Sequence, residues 1–146
     1  MGETMKIKVP EMAAQQRFIF EIATKAGIEQ LEKNLKAPVI EDLELDERDY
    51  DNSHLLPEDR WEAPHPDIVH AYIDQLKRHS DYQSDKDIVV WLGLKGTNAE
   101  RRLRAYRSGE AKPPYGIWRK ILVATGRVPQ EIEPVIAFMR GSTDKA

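Results

Sequence analysis

The stretch "WLGLKGTNAERRLRAYRSGEAKPP", residues 91–114, sets four arginines, Arg101, Arg102, Arg104 and Arg107, within seven positions, with only Glu100 beside them. Gly93 and Gly96 mark a turn before the run. Thr97 with Glu100 three residues on matches a capping box, and Gly109 stands where a helix over 97–108 would end. On a helical wheel Ala99, Leu103 and Tyr106 share one side, the side able to pack on other helices. Thr97, Arg101, Arg104 and Ser108 point the opposite way, flanked by Asn98, Arg102 and Arg107. A guanidinium fork can place two parallel hydrogen bonds on guanine O6 and N7, and flanking cations can meet phosphates. Arginine suits both tasks better than lysine. Lys95 and Lys112 flank the helix as further candidate phosphate contacts.

Outward from this stretch the pattern stays helical. "PDIVHAYIDQLKRHS" places Ile68, Tyr72, Ile73 and Leu76 on one face, with Lys77, Arg78 and His79 at the negative C-terminal end. "SDKDIVVWLG" offers Ser84 as N-cap with Asp87 three on, and Gly93 as a left-handed stop. Tyr115 to Thr125 carries Ile117, Trp118, Ile121 and Leu122 at helical spacing. Pro129 to Met139 carries Ile132, Val135, Ile136 and Met139, with Pro134 inside it. Trp91, Trp118 and Tyr106 read as core groups rather than base-stacking ones. Upstream, residues 10–35 read as one helix with Phe18, Ile22, Ile28, Leu31 and Leu35 on it, and Gly27 as a point where it could divide. Residues 37–65 are acidic, contain prolines and lack periodicity, which predicts a linker, partly disordered or draped on the surface. The expected class is all-α. The expected divisions are an N-terminal helical arm at 1–36, a linker at 37–65, a five-helix domain at 66–140 and a flexible tail at 141–146.

Composition bounds the function classes. The chain has 146 residues, no cysteine and a formal net charge of −3, so thiolate metal sites, disulfides and thiol catalysis are excluded. The longest apolar run is five residues, Ile88 to Leu92, far too short to cross a bilayer. The first residues lack the apolar stretch of a secretory signal, so a cytoplasmic location and no membrane partner are expected. Charge is unevenly spread: residues 1–86 hold 11 Lys/Arg against 19 Asp/Glu, and residues 87–141 hold 10 against 5. The two halves therefore suit different partners, or each other. His65 and His70 with Asp67 and Asp74 do not share one helix face, so no metal site is expected. No Ser/His/Asp grouping or phosphate-cradling glycine motif stands out, which predicts a protein that is not an enzyme and needs no cofactor.

Residues 66–139 resemble the lambda-repressor-like, Cro-type helix-turn-helix family, also called the xenobiotic-response-element family. The apolar helix before the motif, "IVVWLGL", "AYRSGEAKPP" and "IWRKILVATG" carry the resemblance. It implies a five-helix domain whose second motif helix, Thr97 to Ser108 here, lies in the major groove of double-stranded DNA. The glycine–proline loop after it would run near the DNA backbone, and Tyr106 matches the family's core aromatic. The chain departs from the pattern by about four extra residues between Leu94 and Gly109, so either the turn "KGTN" is longer or the second helix begins earlier. Arg107 stands where the family often has glutamate, and Val89 where a small residue is usual.

The resulting expectation is a sequence-specific transcriptional regulator of prophage, plasmid or bacterial type, a repressor, contacting DNA through Lys95, Thr97, Asn98, Arg101, Arg102, Arg104, Arg107, Ser108 and Lys112. A homodimer held by the arm would read two half-sites. The acidic tract 41–62 could dock on the arginine helix or hold a basic protein partner. The rival from another class is a protein-binding module on the same scaffold, such as an antitoxin or anti-defence protein.

Overall fold

A computed structural model describes residues 11–41 and 45–141. Among the described residues there are five α-helices and no strand: α1 (Met12–Asn34), α2 (Pro66–His79), α3 (Asp85–Leu92), α4 (Ala99–Ser108) and α5 (Tyr115–Ala124). The all-α expectation holds. Two compact units are formed, one by residues 41–131 and one by residues up to 40 together with those from 132 onward.

In the larger unit each helix begins and ends where local chemistry permits. Pro66 opens α2 at the first helical position, where its missing N–H costs nothing. The ring Nδ1 of His65 accepts the Asp67 N–H at 3.1 Å, acting as the N-cap. Ser84 caps α3 by accepting the Asp87 N–H at 3.2 Å, as its spacing predicts. Gly93, at φ 75°, ends α3: its N–H reaches the Val90 carbonyl and the Leu94 N–H reaches that of Val89. This Schellman pairing satisfies two orphan carbonyls and needs a left-handed residue. Gly109 ends α4 at φ 87°, and a Cβ there would lie 2.7 Å from Cγ of Pro66. Glycine is therefore required there twice over, for backbone angle and for the approach of α2.

The core is the facing sides of these helices. Ile68, Val69, Tyr72, Ile73 and Leu76 of α2 meet Ile88, Val89 and Leu92 of α3, Ala99, Leu103 and Tyr106 of α4, and Trp118, Ile121 and Leu122 of α5. Trp118 is fully buried and stacks on Tyr72 with ring centroids 5.4 Å apart. Trp91, expected in the core, is half-buried and stacks on Tyr82 at 4.8 Å.

Three expectations are corrected. Residues 45–65 are not a loose linker: short 3-10 turns at Glu47–Asp49, Ser53–Leu55 and Glu58–Arg60 shape them into a strap on the core. Leu45, Tyr50, Leu55 and Trp61 pack against that core, and His54 is buried in it. The Trp118 indole N–H donates to His54 Nδ1 at 3.1 Å, and that of Trp61 donates to the His54 carbonyl at 3.0 Å. Arg127 fastens the strap from the far end of α5, pairing with Glu47 at 2.9 Å, donating to Gln75 at 2.7 Å and lying 3.5 Å over the Tyr72 ring. The boundary expected at residue 66 thus lies inside one compact unit. Second, Pro129 to Met139 is not helical. Pro134 supplies no N–H and disfavours helical angles at Glu133, and Pro129 does the same to Val128. Third, α4 begins at Ala99, two residues later than expected. Its N-cap is Asn98, without a side-chain bond, so the box between Thr97 and Glu100 does not form.

In the other unit α1 is a single helix of 23 residues with none buried, and Gly27 does not interrupt it. Phe18, Ile19, Phe20, Ile22 and Ile28 on it are exposed, as are Ile132, Val135, Ile136, Phe138 and Met139 in the segment after residue 131. Phe20 and Phe138 meet edge to face at 5.1 Å. Residues 1–10, 42–44 and 142–146, where the arm's start, part of the acidic tract and the tail were expected, lie outside the described residues.

Candidate functional site

The six residues from Gly93 to Asn98 join α3 to α4. Arg102 closes that turn by donating from Nη2 to the Lys95 carbonyl at 2.5 Å. Turn and helix together form an open concavity of about 570 Å3, lined by Lys95, Gly96, Thr97, Asn98, Arg101, Arg102, Ala105 and Glu110. Arg104 and Ser108 continue the exposed face of α4, and Lys112 is exposed in the loop after it. The Ser108 hydroxyl donates back to the Ala105 carbonyl at 3.2 Å.

Most cations of residues 87–141 are already engaged. Arg119 lies against Glu131 at 3.2 Å and donates to the Pro129 carbonyl at 3.3 Å. Lys120 donates to the Trp91 carbonyl, Arg127 holds the strap, and Arg140 also has a partner. Lys33, Lys36 and Lys86 elsewhere have none either; within residues 87–141 the cations with no hydrogen bond or ion pair among the described residues are Lys95, Arg101, Arg104 and Lys112. All four come from α4 and the segments that flank it. An ordinary solvated face mixes signs and pairs them at helical spacing; this one leaves its cations uncompensated.

Arg107 does not belong to that group. Only 17% of its side chain is accessible: Nη2 meets Asp74 at 2.9 Å and Nη1 meets Asp85 at 3.3 Å. Its Nε donates to His70 Nδ1 at 3.3 Å. His70 Nε2 in turn lies 3.1 Å from Asp74, and Lys77 lies 2.5 Å from Asp85. One guanidinium thereby ties α4 to α2 and to the first turn of α3. The helical wheel put Arg107 at the edge of the outward stripe, but carboxylates on two neighbouring helices draw it inward. Nothing in sequence pairs Arg107 with Asp74, 33 positions earlier. Charge counts give no hint of it either, since α2 carries two acids against Lys77 and Arg78, and α3 two against Lys86.

The acidic strap does not dock on the arginine helix. Where its carboxylates form ion pairs among the described residues, Asp46 pairs with Arg48, Asp59 with Arg60 and Glu47 with Arg127. No group of three or more His, Asp or Glu side chains among the described residues could hold a metal ion. No helix among them is long and apolar enough to cross a membrane. Comparison of the chain with protein-family models, with curated proteins and with solved structures finds no match, so the functional reading rests on the residues themselves.

Proposed function

We propose that the protein is a sequence-specific double-stranded DNA-binding regulator, a repressor, in which α3, its turn and α4 act as a helix-turn-helix and α4 enters the major groove. The observation that carries this reading is the gathering of four uncompensated cations, Lys95, Arg101, Arg104 and Lys112, on one helix and its flanks. An unpaired cationic face on a short helix braced by two others matches what a duplex needs from a reader: phosphate contacts that fix register and forked donors at base edges. Affinity then comes from phosphates, and log K falls with log salt by roughly 3.6 per subunit if about four phosphates are neutralised.

The arm supplies the second half of the reading. A helix with six large exposed apolar side chains is costly to leave in water, and two such helices can cover one another. Pairing through α1 and the apolar segment after residue 131 would present two recognition helices to half-sites about one helical turn, 34 Å, apart. The same apolar surface favours a second reading, a module that grips another polypeptide. Sedimentation and gel shift on the full chain separate the two. A dimer that binds duplexes with the stated salt slope supports the regulator. A monomer indifferent to duplex DNA, with Lys95→Ala and Lys112→Ala changing nothing, would hand the surface to a protein partner.

A further inference from the structure

The four arginines of α4 look equivalent in sequence, but their side chains are committed differently. Arg102 is bonded to the Lys95 carbonyl and shapes the turn. Arg107 is clamped by Asp74, Asp85 and His70. Arg101 and Arg104 are exposed and make no hydrogen bond or ion pair among the described residues. Resting on the DNA-binding reading above, we infer that only Arg101 and Arg104 read bases, that Arg107 is a positioning residue, and that each half-site therefore presents two guanines one or two base-pair steps apart.

The chemistry of the two free side chains fixes the base. Guanine is the only base that offers two acceptors, N7 and O6, side by side in the major groove, and a planar guanidinium meets them with two parallel N–H groups. Helix geometry fixes the spacing. Three residues separate Arg101 from Arg104, a rise of about 4.5 Å along α4, against roughly 3.4 Å between successive base pairs. Their directions around the axis differ by about 60°, so both forks address the same short stretch of groove. Ala105 beside them has no bulk to hold the helix backbone away, and it lines the concavity with Arg101. Arg107 cannot join them without leaving two carboxylates and an imidazole. What it does instead is fix the roll of α4 on α2, which decides where the two forks point.

The test selects duplexes bound by the full chain from a random pool, then measures affinity for the enriched site, for a scrambled duplex, and for sites carrying 7-deazaguanine at single positions. Two guanines one or two steps apart are expected in each half-site. Arg101→Lys and Arg104→Lys keep the charge and lose the fork. Each is expected to weaken the selected site roughly 5- to 140-fold and to erase preference at one guanine only. 7-Deazaguanine at that position should weaken the native chain but add little to the matching variant. Arg107→Lys, which keeps the charge but loosens the aim of both forks, should weaken the selected duplex at both guanines together and shrink the selected-to-scrambled ratio, leaving affinity for the scrambled duplex unchanged. Circular dichroism melts of each variant establish that it is folded. An enriched site without such guanines, or lysine variants that keep the guanine preference, overturns the assignment while DNA binding stands. So does an Arg107→Lys chain that loses preference at one base pair. A folded native chain that retains no duplex from the pool removes the assignment and the DNA-binding reading together.

Discussion

Two side chains decide more than their neighbours, and neither announces it in sequence. Arg107 joins three helices through a half-buried pair with Asp74 and Asp85. Replacing it with alanine leaves two partly desolvated carboxylates facing one another, so Arg107→Ala should cost about 1–2 kcal/mol, readable in urea unfolding, more than an exposed ion pair and less than a fully buried one. Arg104→Ala, with no partner to lose, should leave the same unfolding curve unchanged. His54 is the other. Its Nδ1 must carry no proton to accept from Trp118, and burial pushes its pKa down. Glu47 pulls it back up, Arg127 lowers it and Asp51 raises it, in decreasing order. Because the folded pKa lies below the unfolded value near 6.5, the unfolded chain takes up the proton first. Its stability contribution is therefore intact above about pH 6.5 and falls away as the pH drops toward the folded value. His54→Asn retains an acceptor without titrating. The native chain should lose stability relative to this variant as the pH falls below about 6.5 in thermal melts.

Helices α2, α3 and α5 were readable because each pairs a helical apolar period with chemistry that starts or stops it: Pro66 for α2, Ser84 with Asp87 and Gly93 for α3, and for α5 the glycine that follows it, Gly126, left-handed at φ 70°. Where one signal stood without the other, reading failed. Ile132, Val135 and Ile136 have the period, yet Pro134 interrupts the bonding and there is no buried surface for them to join. Residues 45–65 have no period at all because strap residues enter the core singly. Leu55 and Trp61 are held by 3-10 turns, and a single polar residue, His54, is satisfied by an indole 64 positions away. Within the candidate site, the exposed stripe of Thr97, Arg101, Arg104 and Ser108 could be read from the wheel. The withdrawal of Arg107 could not, since it depends on carboxylates brought in by α2 and α3. The α4 terminus gives a sharp prediction of its own. Gly109→Ala must hold a left-handed angle and push Pro66 aside, so a loss of about 1–2 kcal/mol is expected in thermal unfolding.

Within the larger unit charge is separated by surface and not by a net excess of cations: residues 41–131 hold 14 Lys/Arg against 18 Asp/Glu. The strap's acids are solvated, paired within the strap or, for Glu47, paired with Arg127, while four uncompensated cations gather at α4 and its flanks. Such a separation raises association rates with a polyanion at low salt and loses that advantage as the Debye length shortens. The strap also decides where the chain can be cut. Removal of residues 1–40 should leave the cooperative melting of the larger unit intact. Removal of residues 1–62 deletes His54, Leu55 and Trp61 from the core and strands the Trp118 indole N–H, so the midpoint should drop by several degrees or the transition should broaden.

The strap's fastening also fixes a leash. The chain crosses between its two units twice, after residue 40 and after residue 131. In the proposed arm-paired dimer each reader is therefore held to its arm by two covalent connections, and the shorter one limits how far it can reach. Operators whose half-sites are spread by inserting successive helical turns should lose simultaneous engagement abruptly once that limit is passed.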